Sequence, residues 1–230
     1  MTKELNRPTP PRRRRAVAVA AALAVLALPS CTRVIDDARG VAAEPGQVFG
    51  VDASVDACTP VDTELVDVPL PDGASPETEP VLRIPQPPDW NRISSLDSEM
   101  IRFVMRNDQL AANGLAPTAV VTLESHRGEI TPTEFFDEQR KQVRQLGVTD
   151  LTLTDTTLCG LPAVRGSYLS PLMGTSGPRR AELLSAVMFT KGRTYGVAVT
   201  VQSADEADPV FQEQSKEILD GFQMLPPGSS

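Results

Sequence analysis

Several strand-like stretches of the chain alternate apolar and polar residues, as a half-buried antiparallel strand does. Seven strands are predicted, at 81–84, 101–106, 119–125, 150–158, 163–169, 183–190 and 194–202. The segment CGLP joins the fourth strand to the fifth, and KGRT joins the sixth to the seventh. Short glycine-containing connections of this kind predict tight hairpins between antiparallel neighbours.

The segment TPTEFFDEQRKQVRQLG has a helical period instead of this alternation, with clear signals for a helix at both ends. Thr131 is the expected N-cap and Pro132 the first helical residue, while Glu134 completes a capping box and Gly147 ends the helix. The apolar face of this helix is predicted to consist of Phe136, Val143 and Leu146, with Phe135 beside it.

The same signals recur in DPVFQEQSKEILDGF, where Asp208 is the cap, Pro209 begins the helix and Gly221 ends it. Its stripe comprises Phe211, Ser215, Ile218 and Phe222. A helix with one apolar stripe and a charged back is expected to lie on a sheet. The predicted fold class is therefore α+β, an antiparallel β-sheet with helices packed on it.

Residues 1–30 have the layout of a secretory signal: a basic leader, an apolar run and a small residue before Cys31. The apolar run has thirteen residues, and a membrane-spanning helix needs roughly 20. The segment LPSC resembles a bacterial lipobox, with Pro29 where a small residue is usual, and this resemblance implies lipidation of Cys31. The alternative is an ordinary cleaved signal with a chance cysteine.

Composition changes again after the leader and divides the chain further. Residues 31–80 are acidic and rich in proline, which predicts an extended tether that is partly ordered near Cys58. Residues 81–230 have globular patterning and predict a single α+β domain.

The charge of the exported chain limits its partners. The leader takes six of the 22 basic and one of the 30 acidic residues, which leaves a net charge of −13. Nucleic acid is therefore not expected as a partner, because it requires a basic surface. Anionic headgroups would repel the domain as well, so attachment to the cell membrane is expected through the acyl chains on Cys31.

Two cysteines remain after Cys31, namely Cys58 and Cys159. An exported protein resides where disulfides persist, so a structural disulfide between them is the favoured interpretation. Two free thiols or a metal site are the alternatives. A metal site has little support, because the chain has no C-x-x-C motif and His126 is its single histidine.

Three segments, VLRIPQPPDW, TLCGLPAVRGSY and KGRTYGVAVTVQ, resemble the LpqN/LpqT-type lipoprotein family of mycobacteria. The resemblance runs from about Val81 to Leu225. It implies an extracytoplasmic cell-envelope lipoprotein with a PsbP-like α/β/α sandwich, suspected of binding envelope lipids or protein partners. It supplies no catalytic residues.

Motifs for catalysis are not found in the sequence. There is no G-x-S-x-G elbow, no Walker loop and no G-x-G-x-x-G, so no cofactor is expected. Nucleophiles such as Ser167 or Ser170 would need His126 as a base, and a histidine at a strand end is more often a surface residue. We therefore expect a protein that is not an enzyme.

Binding residues are suggested in two places. Trp90 follows the rigid PQPPD segment and is a candidate for contact with a sugar or acyl chain, with a core role as the alternative. Leu172 and Met173 lie in the loop 170–180, which is either a contact surface or an ordinary connection. The expected function is binding of an envelope glycolipid or a protein partner; an envelope hydrolase or transferase and a structural subunit of an envelope complex remain alternatives.

Overall fold

The computed structural model describes residues 53–171 and 178–229. Its two α-helices are α1 (Pro132–Gln145) and α2 (Pro209–Gly221). Its ten strands are β1 (Leu65–Asp67), β2 (Val81–Pro85), β3 (Trp90–Arg92), β4 (Ile101–Asn107), β5 (Thr118–Arg127), β6 (Thr149–Leu158), β7 (Leu161–Leu169), β8 (Arg180–Thr190), β9 (Arg193–Gln202) and β10 (Gln223–Leu225).

A seven-stranded antiparallel sheet forms the centre of the domain, with the strand order β3-β4-β5-β9-β8-β7-β6. Two of its hairpins have two-residue loops, Cys159-Gly160 and Lys191-Gly192, in which both residues have positive φ. This is the conformation of a type I′ turn, which matches the twist of the flanking strands. Both hairpins predicted from CGLP and KGRT are thereby confirmed.

A smaller sheet and α2 cover one face of the large sheet. The smaller sheet has the order β1-β2-β10 and is also antiparallel. Between these layers lies the main core, to which the large sheet, the small sheet and α2 all contribute; its largest fully buried side chains include Trp90, Phe103, Ile84, Met105, Ile218, Phe222 and Met224.

Helix α1 packs on the opposite face of the large sheet. Its capping box at Thr131 and Glu134 is present as predicted. Phe135 lies over Gly196 so closely that a Cβ built there would be 2.0 Å from its ring. The apolar face differs from the prediction, because Leu146 follows the last turn and is 71% exposed. Phe136, as predicted, and Phe135 beside it supply the buried contacts, against Val164 and Val187 of the sheet.

Helix α2 begins and ends where the sequence predicted. The Asp208 side chain accepts a hydrogen bond from the Phe211 backbone at 2.9 Å, and Phe211, Ser215 and Ile218 are buried. The two helices and the antiparallel sheets confirm the α+β class.

Residues 53–80 pack against the domain instead of extending away from it. Strand β1 pairs with β2, and Ala53 and Val68 are buried in the main core. Val61 packs over Gly221, where an added Cβ would approach it to 2.6 Å. The packed domain therefore includes much of the segment assigned to a tether, because scattered apolar residues without a period still supply buried contacts.

Candidate functional site

Several sequence-predicted residues lie outside the described part of the chain. Cys31, the expected lipidation site, is one of them, and Leu172 and Met173 of the 170–180 loop are the others.

The predicted disulfide is present between Cys58 and Cys159. Cys159 occupies the first position of the β6–β7 hairpin loop, and its carbonyl accepts a hydrogen bond from the Ser54 backbone at 3.3 Å. The bridge therefore links the beginning of the described chain covalently to the turn of the β6–β7 hairpin.

Trp90 is not a surface binding residue, which corrects the ligand-contact prediction. Its side chain is 1% exposed in the main core. The indole Nε1 donates a hydrogen bond to Gln214 Oε1 of α2 at 2.7 Å, so its polar edge already has a partner. A rigid proline-containing segment thus positions the ring for packing, the alternative that the sequence left open.

The serines considered as nucleophiles do not approach His126. Ser167 of β7 is aligned through β8 and β9 with Ala119 of β5. His126 is seven residues further along β5, a separation of about 24 Å at the rise of an antiparallel strand. Ser170 lies past the end of β7, where its Oγ accepts a hydrogen bond from the Arg179 backbone at 3.1 Å. No serine–histidine pair is formed by these residues.

A two-lobed cleft lies where the loop after β1 crosses the large sheet, and we call it the acidic cleft. Its first lobe has a volume of about 410 Å³ and is bounded by residues 71–74, the start of β4, the end of β5 and Tyr195 of β9. Its second lobe, of about 390 Å³, lies between residues 69–72 and the segment 97–102. The two lobes share the lining residues Pro71, Asp72, Glu99 and Arg102.

Arg102 is the one basic residue among those lining the acidic cleft. Its side chain is 5% exposed, and Nη2 donates to Glu79 Oε2 at 2.6 Å. Its Nε is buried without a hydrogen-bond partner in the described residues. A guanidinium in this position supplies donors that the protein does not fully use.

A β-bulge explains why Arg102 lies in the cleft. Ile101 pairs with Thr122 and Phe103 pairs with Val121, so Arg102 is an extra residue in β4. Bulges change the direction in which a side chain points. As a result Arg102 lines the cleft with Leu123 and Tyr195, which belong to the main core.

Tyr195 lines the first lobe and is 3% exposed. Burial raises the pKa of its phenol above the ordinary value, the positive charge of Arg193 lowers it, and the carboxylate of Glu79 raises it. The net effect is a raised pKa, which keeps the phenol neutral in the folded protein.

Carboxylates dominate the rest of the lining. Two are in ion pairs: Glu79 with Arg102, and Asp97 with Arg92 at 2.6 Å. The others are Asp72, Glu99 and Glu124. Glu124 lies 3.7 Å from the half-exposed His126, whereas Asp72 and Glu99 form no ion pair with the described residues. The cleft therefore has an excess of negative charge.

Exposed apolar side chains lie at the same place. Leu70 lines the second lobe and is 39% exposed, and Met100 lines the first lobe and is 61% exposed. Leu96, at 52% exposed, immediately precedes Asp97. These account for three of the six large apolar residues that are exposed in the described chain. Such clustering beside a cleft is typical of a binding surface.

Sequence reasoning missed this site. The cleft forms only when the loop after β1 lies against β4 and β5, which are distant in the chain. The one local signal was an arginine within the apolar run IRFVM, because a charged residue there must be paired or positioned by an irregular strand.

Residues 53–171 and 178–229 contain no helix that is both long and apolar enough to cross a membrane. They also contain no group of three or more His, Cys, Asp or Glu side chains in an arrangement that could hold a metal ion.

Comparison with known proteins shows that this chain resembles a solved structure in its fold. No protein-family model matches the chain, and no curated protein sequence does. A solved structure of LpqN from Mycobacterium tuberculosis, described as involved in cell envelope biogenesis, aligns with a TM-score of 0.55 and 17% identity, covering 72% of this chain and 94% of that one. This supports a distant LpqN-like fold.

A second solved structure, from Bacteroides thetaiotaomicron VPI-5482, aligns with a TM-score of 0.37 and 10% identity. It covers 66% of this chain and 50% of that chain. A TM-score this low supports no inference about this protein.

Proposed function

We propose that this protein is a lipid-anchored, non-enzymatic binding protein of the cell envelope, and that the acidic cleft is its binding site. The observation that carries the binding role is the cleft itself, with its exposed apolar side chains and the buried Arg102 in its lining. The anchor is supported by the leader and by the LPSC segment ending at Cys31. The envelope setting is supported by the fold shared with LpqN.

The cleft favours a ligand that has both polar and apolar parts over an anionic lipid headgroup. Its lining carboxylates outnumber its single guanidinium, and the exported chain has a net charge of −13. An anionic phospholipid would be repelled at short and at long range. A protein partner or a neutral glycolipid meets no such barrier.

Replacement of Cys31 by Ala tests the anchor. Without a thiol no diacylglycerol can be attached, so we expect the protein to move from the membrane fraction to the soluble fraction of disrupted cells. The double variant Cys58→Ala/Cys159→Ala is the control, because it removes the other two cysteines and should leave the protein in the membrane fraction. Membrane association that survives Cys31→Ala would contradict the anchor.

Native mass spectrometry of protein extracted from its own envelope tests the binding role. A retained lipid or an attached polypeptide is expected with the unaltered protein and should be depleted by Arg102→Met. Bound material that is the same with and without Arg102 would show that the cleft is not the site. A screen of acyl and glycosyl ester substrates tests the non-enzymatic role, and turnover abolished by His126→Ala would overturn it.

A further inference from the structure

The unpaired carboxylates of the acidic cleft are close along the chain to its exposed apolar residues. Asp72 lies beside Leu70 along the loop after β1, and Glu99 is next to Met100 before β4. Both acidic side chains are exposed, and both line the two lobes. An occupant that neutralises the carboxylates would therefore contact apolar surface at the same time.

Arg102 adds an acceptor requirement to this pattern. It lines both lobes, its side chain is 5% exposed, and Nε has no hydrogen-bond partner among residues 53–171 and 178–229. Glu79 occupies only Nη2. The remaining donors of the guanidinium suit a neutral oxygen such as a peptide carbonyl, because the surrounding carboxylates disfavour an anion.

We propose that the acidic cleft binds a basic, partly apolar segment of a partner polypeptide. Lysine or arginine side chains of the segment pair with Asp72 and Glu99, its apolar side chains pack on Leu70 and Met100, and a backbone carbonyl accepts from Arg102. This assignment rests on the proposed binding function of the cleft and specifies its partner. A polypeptide supplies all three groups, whereas an anionic lipid supplies a group of the wrong charge.

Electrostatic complementarity acts beyond the cleft as well. The net charge of −13 attracts a basic segment during its approach. Attraction between exposed charges weakens as salt is added, because the Debye length shortens. Binding of the segment should therefore be strongly dependent on ionic strength.

Fluorescence anisotropy with short labelled peptides tests the proposal on the full exported protein. The probes are a peptide of alternating lysine and leucine, a second in which glutamate replaces lysine, and a third in which serine replaces leucine. We expect the first to bind at low salt, the second not to bind, and the third to bind more weakly. Equal binding of the lysine and glutamate peptides would overturn the proposal.

The variant Asp72→Asn/Glu99→Gln locates the binding. It should weaken the binding of the lysine–leucine peptide by about three- to tenfold at low salt, since exposed ion pairs each contribute only modestly. Neither carboxylate has an ion-pair partner in the described chain, so folding should be unaffected, as the thermal midpoint will show. The matched control Asp150→Asn/Asp155→Asn removes the same charge from two exposed carboxylates of β6, at the opposite edge of the sheet from β3, and these also form no ion pair with the described residues.

The control variant should bind within twofold of the unaltered protein. If both variants weaken the peptide equally, the effect is one of net charge, and the assignment to the cleft is wrong. If no peptide binds but native mass spectrometry finds a neutral glycolipid that Arg102→Met depletes, the basic-segment proposal fails while the proposed binding function stands. If neither a peptide nor an envelope ligand is found, both fail.

Discussion

Removal of the Cys58–Cys159 disulfide should destabilise the domain substantially. The cysteines are 101 residues apart in sequence. In the chain-entropy model a cross-link that closes a loop of about 100 residues stabilises the folded state by about 4.7 kcal/mol, because it lowers the conformational entropy of the unfolded chain. The loop includes β1 to β6 and α1, so the bridge restricts more than half of the packed domain.

The same figure converts to a change in melting temperature. Unfolding entropy is about 2.1 cal/mol/K per residue, which for a domain of about 175 residues gives about 0.37 kcal/mol/K. The double variant Cys58→Ala/Cys159→Ala should therefore melt about 10 to 15 °C lower than the oxidised protein. Any weakening of the hydrogen bond from the Ser54 backbone to the Cys159 carbonyl would add to this loss.

Differential scanning calorimetry measures the melting temperature, and urea denaturation independently measures the free energy of unfolding. The unaltered protein in reductant is the matched control, and it should melt near the double variant. Single cysteine variants are unsuitable, since the remaining thiol can form a disulfide between two copies of the protein. A double variant that melts with the oxidised protein would refute the reasoning and show that the packing of residues 53–68 does not depend on the bridge.

Two further predictions concern packing and pH. Gly196→Ala places a Cβ 2.0 Å from the Phe135 ring, so it should destabilise the domain by about 1 to 3 kcal/mol. In a Phe135→Ala background the same substitution should destabilise the domain by clearly less. Urea denaturation measures both costs, and equal costs in the two backgrounds would contradict the contact. The raised pKa of Tyr195 keeps its phenol neutral in the folded state when an unfolded tyrosine ionises near pH 10. Stability should therefore fall as pH rises above about 10, and Tyr195→Phe should reduce that fall; an identical pH profile would exclude Tyr195 as its source.

Long elements with strong local signals could be predicted from the sequence. A capping box at α1, an aspartate cap at α2 and a proline start at each define both helices, and the seven predicted strands each match an observed one within a few residues. Strands β1, β3 and β10 were missed, because each has three residues and an alternation cannot be recognised over so short a run.

The acidic cleft could not be predicted, for two physical reasons. The loop after β1 lies near β4 only in the folded chain, so no local pattern reports it. A prediction that assumes regular alternation through β4 also assigns Arg102 to the wrong face of the strand, because the bulge shifts the register at that residue. The cysteine pair was predictable, since an exported chain in which Cys31 carries lipid leaves one possible bridge.

The position of the disulfide would also limit how far a lipid-anchored domain can move from the membrane. For an anchor at Cys31, the connection to the packed domain ends at Ala53, which is buried in the main core, and not at Val81. At about 3.3 to 3.6 Å per residue, this reduces the greatest possible height above the bilayer from roughly 170 Å to roughly 75 Å. Reduction of the bridge would weaken the attachment of residues 53–58 to the β6–β7 hairpin, so thiol chemistry in the envelope would change the reach of the domain.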